Sequence, residues 1–166
     1  AIAFNNLGLT LQELGRLDEA VTCYEKALII KPDFADACNN LGITLKNLGR
    51  LDEAVTCYEK ALAIKPDYAE AHNNLGNVFM DLDHIDSAVK CFESAIEIKP
   101  NYAEAHNNLG NALTSLDQLD VAKKCYDRAV TLKPEYAEAH NNLGNALNDL
   151  GQRIASIRSF EKALAI

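Results

Sequence analysis

The chain has 166 residues, with 16 Lys or Arg against 24 Asp or Glu, so its formal net charge is −8 at pH 7. This acidic balance disfavours nucleic acid or an anionic membrane as the main partner, and no apolar run reaches the roughly 20 residues of a membrane span. Hydrophobic residues make up 48% of the chain, which is typical of a folded protein and not of a disordered one.

The sequence repeats itself every 34 residues. Pro32, Pro66, Pro100 and Pro134 recur at that interval, and the phrase Asn-Asn-Leu-Gly occurs five times. A fixed period of this length indicates a repeat architecture. We number positions 1 to 34 within each repeat, which gives the repeats 1–34, 35–68, 69–102, 103–136 and 137–166 of a single array. Because the last repeat is cut at position 30 and the chain opens on Ala, we expect a fragment of a longer chain.

The first half of each repeat predicts a helix. In the second repeat, Leu41, Leu45 and Leu48 recur at intervals of four and three residues, which places them on one helix face. Gly49 follows them, and glycine is the residue that most often ends a helix. The first repeat has the same pattern, and the later repeats keep it with small changes.

The second half of each repeat predicts a second helix. Asp52 and Glu53 stand at its start, where acidic groups meet the positive end of the helix dipole. Pro66 stops it, because proline cannot continue a helix. The chain is therefore expected to form ten antiparallel helices of roughly 13 residues, each about 20 Å long.

Small residues at fixed positions predict tight contacts between these helices. Glycine stands at position 8 of every repeat, although glycine inside a helix costs about 1 kcal/mol relative to alanine. Position 24 is always aromatic: Tyr24, Tyr58, Phe92, Tyr126 and Phe160. We expect these rings to fill the space opposite the small residues.

These residues resemble the tetratricopeptide repeat family over the whole chain. The match is carried by Leu-Gly at positions 7 and 8, Ala at positions 20 and 27, Tyr or Phe at position 24 and Pro at position 32. The resemblance implies an all-α fold, a right-handed superhelical solenoid of helix-turn-helix repeats. It also implies that the first helices line a concave groove that binds extended peptides or helices, and that the chain is a non-catalytic scaffold.

Asparagine is the main candidate for lining that groove. Position 6 is Asn6, Asn40, Asn74, Asn108 and Asn142, and position 9 adds Asn77, Asn111 and Asn145. Asparagine is a poor helix former, so its repetition inside helices needs a reason. An amide both donates and accepts, which suits recognition of a peptide backbone. Position 5 is also always Asn, and one of the two positions could instead bond the adjacent repeat.

Charged side chains at the expected groove positions favour a neutral to basic ligand. Glu70 and Glu104 are acidic at position 2, and Lys46 is the basic exception. The position-2 acids could equally complement the start of their own helices. Chaperone adaptors of the family use lysine at position 5 to hold an acidic tail, and this chain has Asn there, so an acidic tail is disfavoured.

Two further functions are kept open by the sequence. The recurring asparagines at positions 5 and 6 form an Asn ladder that resembles the repeat array of O-linked N-acetylglucosamine transferase-like proteins. The chain could therefore be the substrate-recruiting arm of a larger glycosyltransferase. Alternatively, apolar faces at the ends of the array could drive head-to-tail self-association.

Cysteine and histidine follow the repeat and do not form a chemical motif. Cys23, Cys57, Cys91 and Cys125 share position 23, and at about 10 Å between repeats they are too far apart for disulfides or a shared metal. This favours packing roles in a reducing compartment, the cytoplasm. His72, His106 and His140 share position 4 and are expected at the edge of the core. No catalytic motif occurs, so we expect no enzyme activity, metal or cofactor.

Overall fold

The computed structural model describes all 166 residues and contains ten α-helices and no strand. Their bounds are α1 (Ile2–Glu13), α2 (Leu17–Ile30), α3 (Ala35–Asn47), α4 (Leu51–Ile64), α5 (Ala69–Asp81), α6 (Ile85–Ile98), α7 (Ala103–Ser115), α8 (Leu119–Leu132), α9 (Ala137–Asp149) and α10 (Arg153–Ala165). Each 34-residue repeat thus contributes one helix pair, as the periodicity predicts.

The chain divides into two compact units. The first, Ala1–Leu82, holds α1 to α5, and the second, Asp83–Ile166, holds α6 to α10. Within each unit, every helix packs against the next one along the chain, and the odd-numbered helices of neighbouring repeats also touch, α1 with α3, α3 with α5 and α7 with α9. The single-array organisation expected from the sequence stays a prediction.

Position 15 ends the first helix of each repeat by adopting a left-handed backbone. Gly49 has φ of 74°, its amide donates to the carbonyl of Lys46, and the Arg50 amide donates to the carbonyl of Leu45. These two bonds form a Schellman cap, which satisfies carbonyls that the helix leaves open. Asp83 and Asp117 take the same conformation at the same position, with φ of 60° and 58°.

In four of the five repeats an aromatic ring of the second helix lies on a glycine of the first, at Gly8, Gly42, Gly110 and Gly144. A methyl group in place of the Gly8 hydrogen would lie 2.6 Å from the Tyr24 ring, and one on Gly110 would lie 2.5 Å from the Tyr126 ring. The tight contact expected at position 8 is therefore filled by the ring from the second helix of the same repeat. The flanking alanines at positions 20 and 27, such as Ala20 and Ala27, are fully buried.

The turn between repeats is held by two contacts that recur along the chain. The ammonium of Lys65 lies 4.4 Å from the centre of the Tyr68 ring, and Lys133 lies 4.9 Å from that of Tyr136. Such cation–π pairs are worth roughly 0.5–1 kcal/mol at exposed sites. The second contact is a hydrogen bond from the position-4 histidine of the next helix to the proline carbonyl of the turn, in the last three repeats. Together they fix the direction in which α5, α7 and α9 leave the turn.

The last helix begins in register although its sequence departs from the pattern. Like the other second helices α10 starts at position 17, but it has no acidic residue in its first turn. Ser156 stands where the other repeats have Ala, and its buried hydroxyl donates to the Gly144 carbonyl at 2.7 Å. Because that hydroxyl is satisfied, serine replaces alanine without leaving an unpaired polar group.

Candidate functional site

All eleven candidate residues lie on the first helices of their repeats. Asn40, Asn74, Asn108, Asn142, Asn77, Asn111, Lys46, Glu70 and Glu104 are half-buried, whereas Asn6 and Asn145 are exposed. We call Asn6, Asn40, Asn74, Asn108 and Asn142 the position-6 column. Four of the position-5 asparagines lie deeper, since Asn5, Asn39, Asn73 and Asn107 are buried, whereas Asn141 is exposed.

Side-chain amides of positions 5 and 6 join neighbouring repeats. In the first unit, Asn40 Nδ2 donates to Asn5 Oδ1 at 3.1 Å and Asn74 Nδ2 donates to Asn39 Oδ1 at 3.1 Å. In the second unit, Asn142 Nδ2 donates to Asn107 Oδ1 at 3.0 Å. We call these bonds the amide ladder. Both asparagine positions therefore contribute to inter-repeat bonding, the role that the sequence left open for one of them.

A carboxylate fixes the direction of the ladder in the second unit. Glu138 Oε1 accepts from Asn107 Nδ2 at 3.1 Å. Because a carboxylate only accepts, Asn107 must turn its nitrogen to Glu138 and its oxygen to Asn142. Asn142 therefore presents its nitrogen to the ladder, and its Oδ1 accepts no bond from the protein.

The ladder leaves one kind of hydrogen-bonding group unused. The Oδ1 atoms of Asn40, Asn74 and Asn142 have no protein donor, because each residue bonds its neighbour through Nδ2 alone. These side chains are half-buried, so they are held in place yet still reach solvent. Asn40, Asn74 and Asn142 of the position-6 column thus offer acceptor oxygens.

A small polar pocket opens beside Asn142 in the second unit. It has a volume of about 180 Å³ and is lined by Asn111, Thr114, Tyr126, Asn142, Asn145, Ala146 and Asp149. Asn111 Oδ1 accepts from the Tyr126 hydroxyl at 2.8 Å and from Asn142 Nδ2 at 3.1 Å, which braces one wall. Burial raises the pKa of Tyr126, so its phenol stays protonated and can donate at neutral pH.

Two of the charged candidates are neutralised by the chain itself. Lys46 Nζ lies 3.3 Å from Asp81 Oδ2, an ion pair between α3 and α5. Glu104 Oε1 lies 2.9 Å from Lys133 Nζ, and this hydrogen bond lowers the pKa of Glu104. Glu70 occupies the corresponding place on α5, where it is half-buried. Lys46 and Glu104 are therefore already paired within the chain.

Histidine at position 4 has a role that sequence reasoning missed. His72, His106 and His140 each place Nε2 at 2.9–3.1 Å from the carbonyl oxygen of Pro66, Pro100 and Pro134 respectively. A carbonyl only accepts, so each ring donates there and ties the start of a first helix to the turn before it. In the sequence, this contact could have been found from the recurrence of His six residues after Pro in three repeats.

The thiols lie among packed side chains. All five cysteines are free, with Cys23 and Cys38 buried and the other three half-buried. Burial raises the pKa of Cys57 and of Cys125 to about 11. A thiol with such a pKa is almost wholly protonated at neutral pH and is a poor nucleophile or metal ligand.

Neither a membrane span nor a metal-type cluster occurs among the ten helices. None of the helices combines the length and the apolar character needed to cross a membrane. No group of three or more His, Cys, Asp or Glu side chains is placed so that it could hold a metal ion.

Comparison with protein families matches the whole chain to repeat models. The model described as "TPR repeat" matches residues 45–83, 76–117 and 110–151, and models described as "Tetratricopeptide repeat" match residues 1–34, 23–56 and 137–166. A search of curated proteins gives no match.

Solved structures with the same fold cover almost all of the chain. A crystal structure of MamA is 27% identical, with a TM-score of 0.85 over 95% of this chain and 92% of that one. YrrB, described as "a TPR protein with an unusual peptide-binding site", is 25% identical, with a TM-score of 0.78 over 99% and 85%. PilF of Pseudomonas aeruginosa is 21% identical, with a TM-score of 0.92 over 98% and 74%, which shows the fold alone. The expected all-α repeat fold is confirmed, and the chain belongs to the tetratricopeptide repeat family.

Proposed function

We propose that this chain is a non-catalytic interaction module that binds an extended peptide segment along its first helices. The observation that carries the proposal is the set of unused oxygens on Asn40, Asn74 and Asn142, which recur at one repeat position. A peptide backbone presents N–H donors whatever its side chains are, so such acceptors suit a segment of variable sequence. Peptide binding by YrrB, a relative of the same fold, supports this use of the repeat.

The spacing of the repeats fits a segment in an extended conformation. Neighbouring helices pack about 8–10 Å apart, so equivalent residues recur at roughly 10 Å or more. An extended chain advances about 3.3 Å per residue. In the first unit, the oxygens of Asn40 and Asn74 can therefore accept from ligand residues about three apart.

Charge supports a neutral to basic segment rather than an acidic one. Acidic side chains outnumber basic ones on the first helices, and Lys46, the basic candidate there, is already paired with Asp81. Position 5 carries no lysine that could hold a ligand carboxylate. An acidic segment would meet repulsion without a compensating cation.

The test is a selection from a display library of random dodecamer peptides, followed by mapping of a selected peptide on the ¹⁵N-labelled chain. We expect the side-chain NH₂ signals of Asn40, Asn74 and Asn142 to shift on binding, together with backbone signals of their helices. Failure to select any peptide, or shifts confined to the second helices, would refute the proposal.

Self-association is a second candidate, since it has one observation in its favour. Leu164 on α10 is 87% exposed, and it borders an open apolar pocket of about 570 Å³ with Phe160 and Ala163. Contact of that face with α1 of another copy would bury it. Light scattering over a concentration series tests self-association separately from peptide binding. A protein that stays monomeric throughout would exclude head-to-tail assembly and would not count against the peptide-binding proposal.

The third expectation, a recruiting arm of a larger glycosyltransferase, is a statement about sequence outside these 166 residues. The gene sequence beyond residue 166 tests it directly. The five free thiols are in keeping with the cytoplasmic location expected from the sequence.

A further inference from the structure

The polar pocket of the second unit differs from the equivalent places in the first unit in the partner of the acid at its rim. Position 12 of one repeat and position 13 of the next are Lys46 and Asp81 in the first unit, and these form an ion pair at 3.3 Å. The same two positions in the second unit are Thr114 and Asp149. Asp149 makes no hydrogen bond or ion pair with the protein.

The position of Asp149 in its helix makes an unpaired carboxylate there unfavourable. It is the last residue of α9, where the helix dipole presents its negative end. Asp81 is likewise the last residue of α5, but the ammonium of Lys46 offsets the repulsion. At Asp149 the chain supplies no cation of its own.

The remaining walls of the pocket present acceptors for a hydrogen-bond donor. Asn142 Nδ2 donates to Asn107 and Asn111, whereas its Oδ1 accepts no hydrogen bond from the protein. Asn145 makes no hydrogen bond with the protein. Thr114 does not reach across to Asp149, since its hydroxyl lies 2.9 Å from the Gly110 carbonyl and 3.1 Å from Tyr126 Oη. The pocket of about 180 Å³ therefore holds acceptors and a carboxylate without a matching donor.

In the first pair of repeats, the equivalent site is satisfied by hydrogen bonds within the chain and holds no carboxylate. There, position 12 is Gln12, whose Oε1 accepts from Thr44 Oγ1 at 2.8 Å and from Tyr24 Oη at 3.2 Å. Position 13 of the next repeat is Asn47 and carries no charge. Of these three places, the one at Asp149 alone combines a carboxylate with no protein partner.

We infer that this pocket binds an arginine or lysine side chain of the peptide segment, with the cation taking on Asp149 the place that Lys46 takes on Asp81. The inference rests on the proposed function and adds to it the register of the ligand: a basic residue lies against α7 and α9. Hydrogen bonds from a cation to carboxylate and amide oxygens are stronger than those between neutral groups, so this contact fixes which residue of the segment lies here.

The experiment uses two blocked pentapeptides, acetyl-Gly-Ser-Arg-Ser-Gly-amide and the same peptide with Gln in place of Arg, titrated to millimolar concentration against the ¹⁵N-labelled chain. We expect the Arg peptide to shift the side-chain NH₂ signals of Asn111, Asn142 and Asn145 and to bind at least about fivefold more tightly than the Gln peptide, which corresponds to about 1 kcal/mol.

Matched variants separate the pocket from the general negative charge of the chain. Asp149→Asn should remove the preference for Arg, whereas Asp81→Asn changes the net charge equally and should retain it, because Asp81 is already paired. Thr114→Lys should also remove the preference by restoring the Lys46-type ion pair, and Thr114→Ser should not.

Equal effects of Asp149→Asn and Asp81→Asn, or no shift of the pocket signals with the Arg peptide, would overturn the inference. If library-selected dodecamers bind the position-6 column while Arg gives no advantage at the pocket, this inference fails and the proposed function stands. If the Arg pentapeptide docks in the pocket and no dodecamer binds along the helices, the extended-segment function fails instead.

Discussion

At the scale of single residues, the fold is held by contacts that leave very little freedom for substitution. Gly8, Gly42, Gly110 and Gly144 must be glycine because an aromatic ring from the second helix occupies the space where a Cβ would lie. The periodicity predicted a tight contact there from the cost of glycine in a helix. The constant aromatic residue at position 24 predicted what fills the space, and the rings of Tyr24, Tyr58, Tyr126 and Phe160 lie there.

Gly110→Ala tests this contact, because the change in the free energy of unfolding should be opposite in sign to that of Gly→Ala at an ordinary helix position. Alanine at an ordinary helix position would stabilise by about 1 kcal/mol relative to glycine. Here the new methyl group would lie 2.5 Å from the Tyr126 ring, so overpacking should outweigh the gain and destabilise by about 1–2 kcal/mol net. Urea unfolding measures the change, and the penalty should shrink in a Tyr126→Leu background. A stabilised single variant would show that the ring can move aside without cost.

The asparagines illustrate the limit of sequence reading at this scale. The repetition of Asn at positions 5 and 6 correctly singled out the residues that the structure connects. In the second unit, the amide atoms that Asn107 and Asn142 use depend on a carboxylate in another repeat, Glu138 on Asn107, and a 34-residue period cannot reveal that direction. The unused oxygens became visible only with the bonds in place.

At the scale of the helix, the end of each first helix depends on a left-handed residue at position 15. Three repeats supply glycine, and two supply Asp83 and Asp117. The sequence predicts the glycine stops, whereas the aspartates are found only from the backbone angles. Nothing lies within 4 Å of a Cβ built at Gly15, Gly49 or Gly151, so conformation alone favours glycine there.

Asp117→Gly should therefore stabilise the protein, by about 0.5–1 kcal/mol, because glycine adopts a positive φ without strain. Asp120→Gly is the matched control three residues on: it lies in the first turn of α8, and there glycine should destabilise by about 1 kcal/mol. Thermal and urea unfolding of the two variants should give changes of opposite sign. Two losses of similar size would contradict the role assigned to position 15.

At the scale of the whole molecule, buried phenols predict sensitivity to alkaline pH. Burial raises the pKa of Tyr24, Tyr68 and Tyr136 to about 12, and raises the pKa of Tyr58 and Tyr126 as well. An unfolded tyrosine ionises near pH 10. Between about pH 10 and pH 12, these tyrosines therefore stay protonated in the folded state but ionise in the unfolded state.

The sign of this linkage is that the stabilisation is complete below about pH 10 and is lost as the pH rises towards 12. The free energy of unfolding, measured in urea at several pH values, should fall over that window, and phenolate absorbance should rise later than in the unfolded chain. Tyr68→Phe should flatten the fall. A free energy of unfolding that stays constant from pH 9 to pH 12 would be inconsistent with buried, protonated phenols.

The repeat explains why so much of the whole-molecule architecture could be predicted. Five copies of one pattern fix ten helices, their order and their short turns, since each copy repeats the same local signals. The pocket at Asp149 could not be predicted in this way. Position 12 is Thr114 there and Lys46 in the second repeat, and a position that differs in every repeat has no period to reveal its role.

The central claim is that the position-6 column binds a ligand as well as joining the repeats, and one paired measurement tests it most directly. Asn74→Ala and Asn39→Ala remove the same ladder bond, but only Asn74 carries an oxygen left over for a ligand. The measurement is the affinity of a library-selected dodecamer for the two variants, alongside their melting temperatures. We predict similar losses of stability and an affinity loss of about fivefold for Asn74→Ala alone, as expected for one hydrogen bond of about 1 kcal/mol. Unchanged affinity in both variants, or equal losses in both, would make the column purely structural and contradict the account.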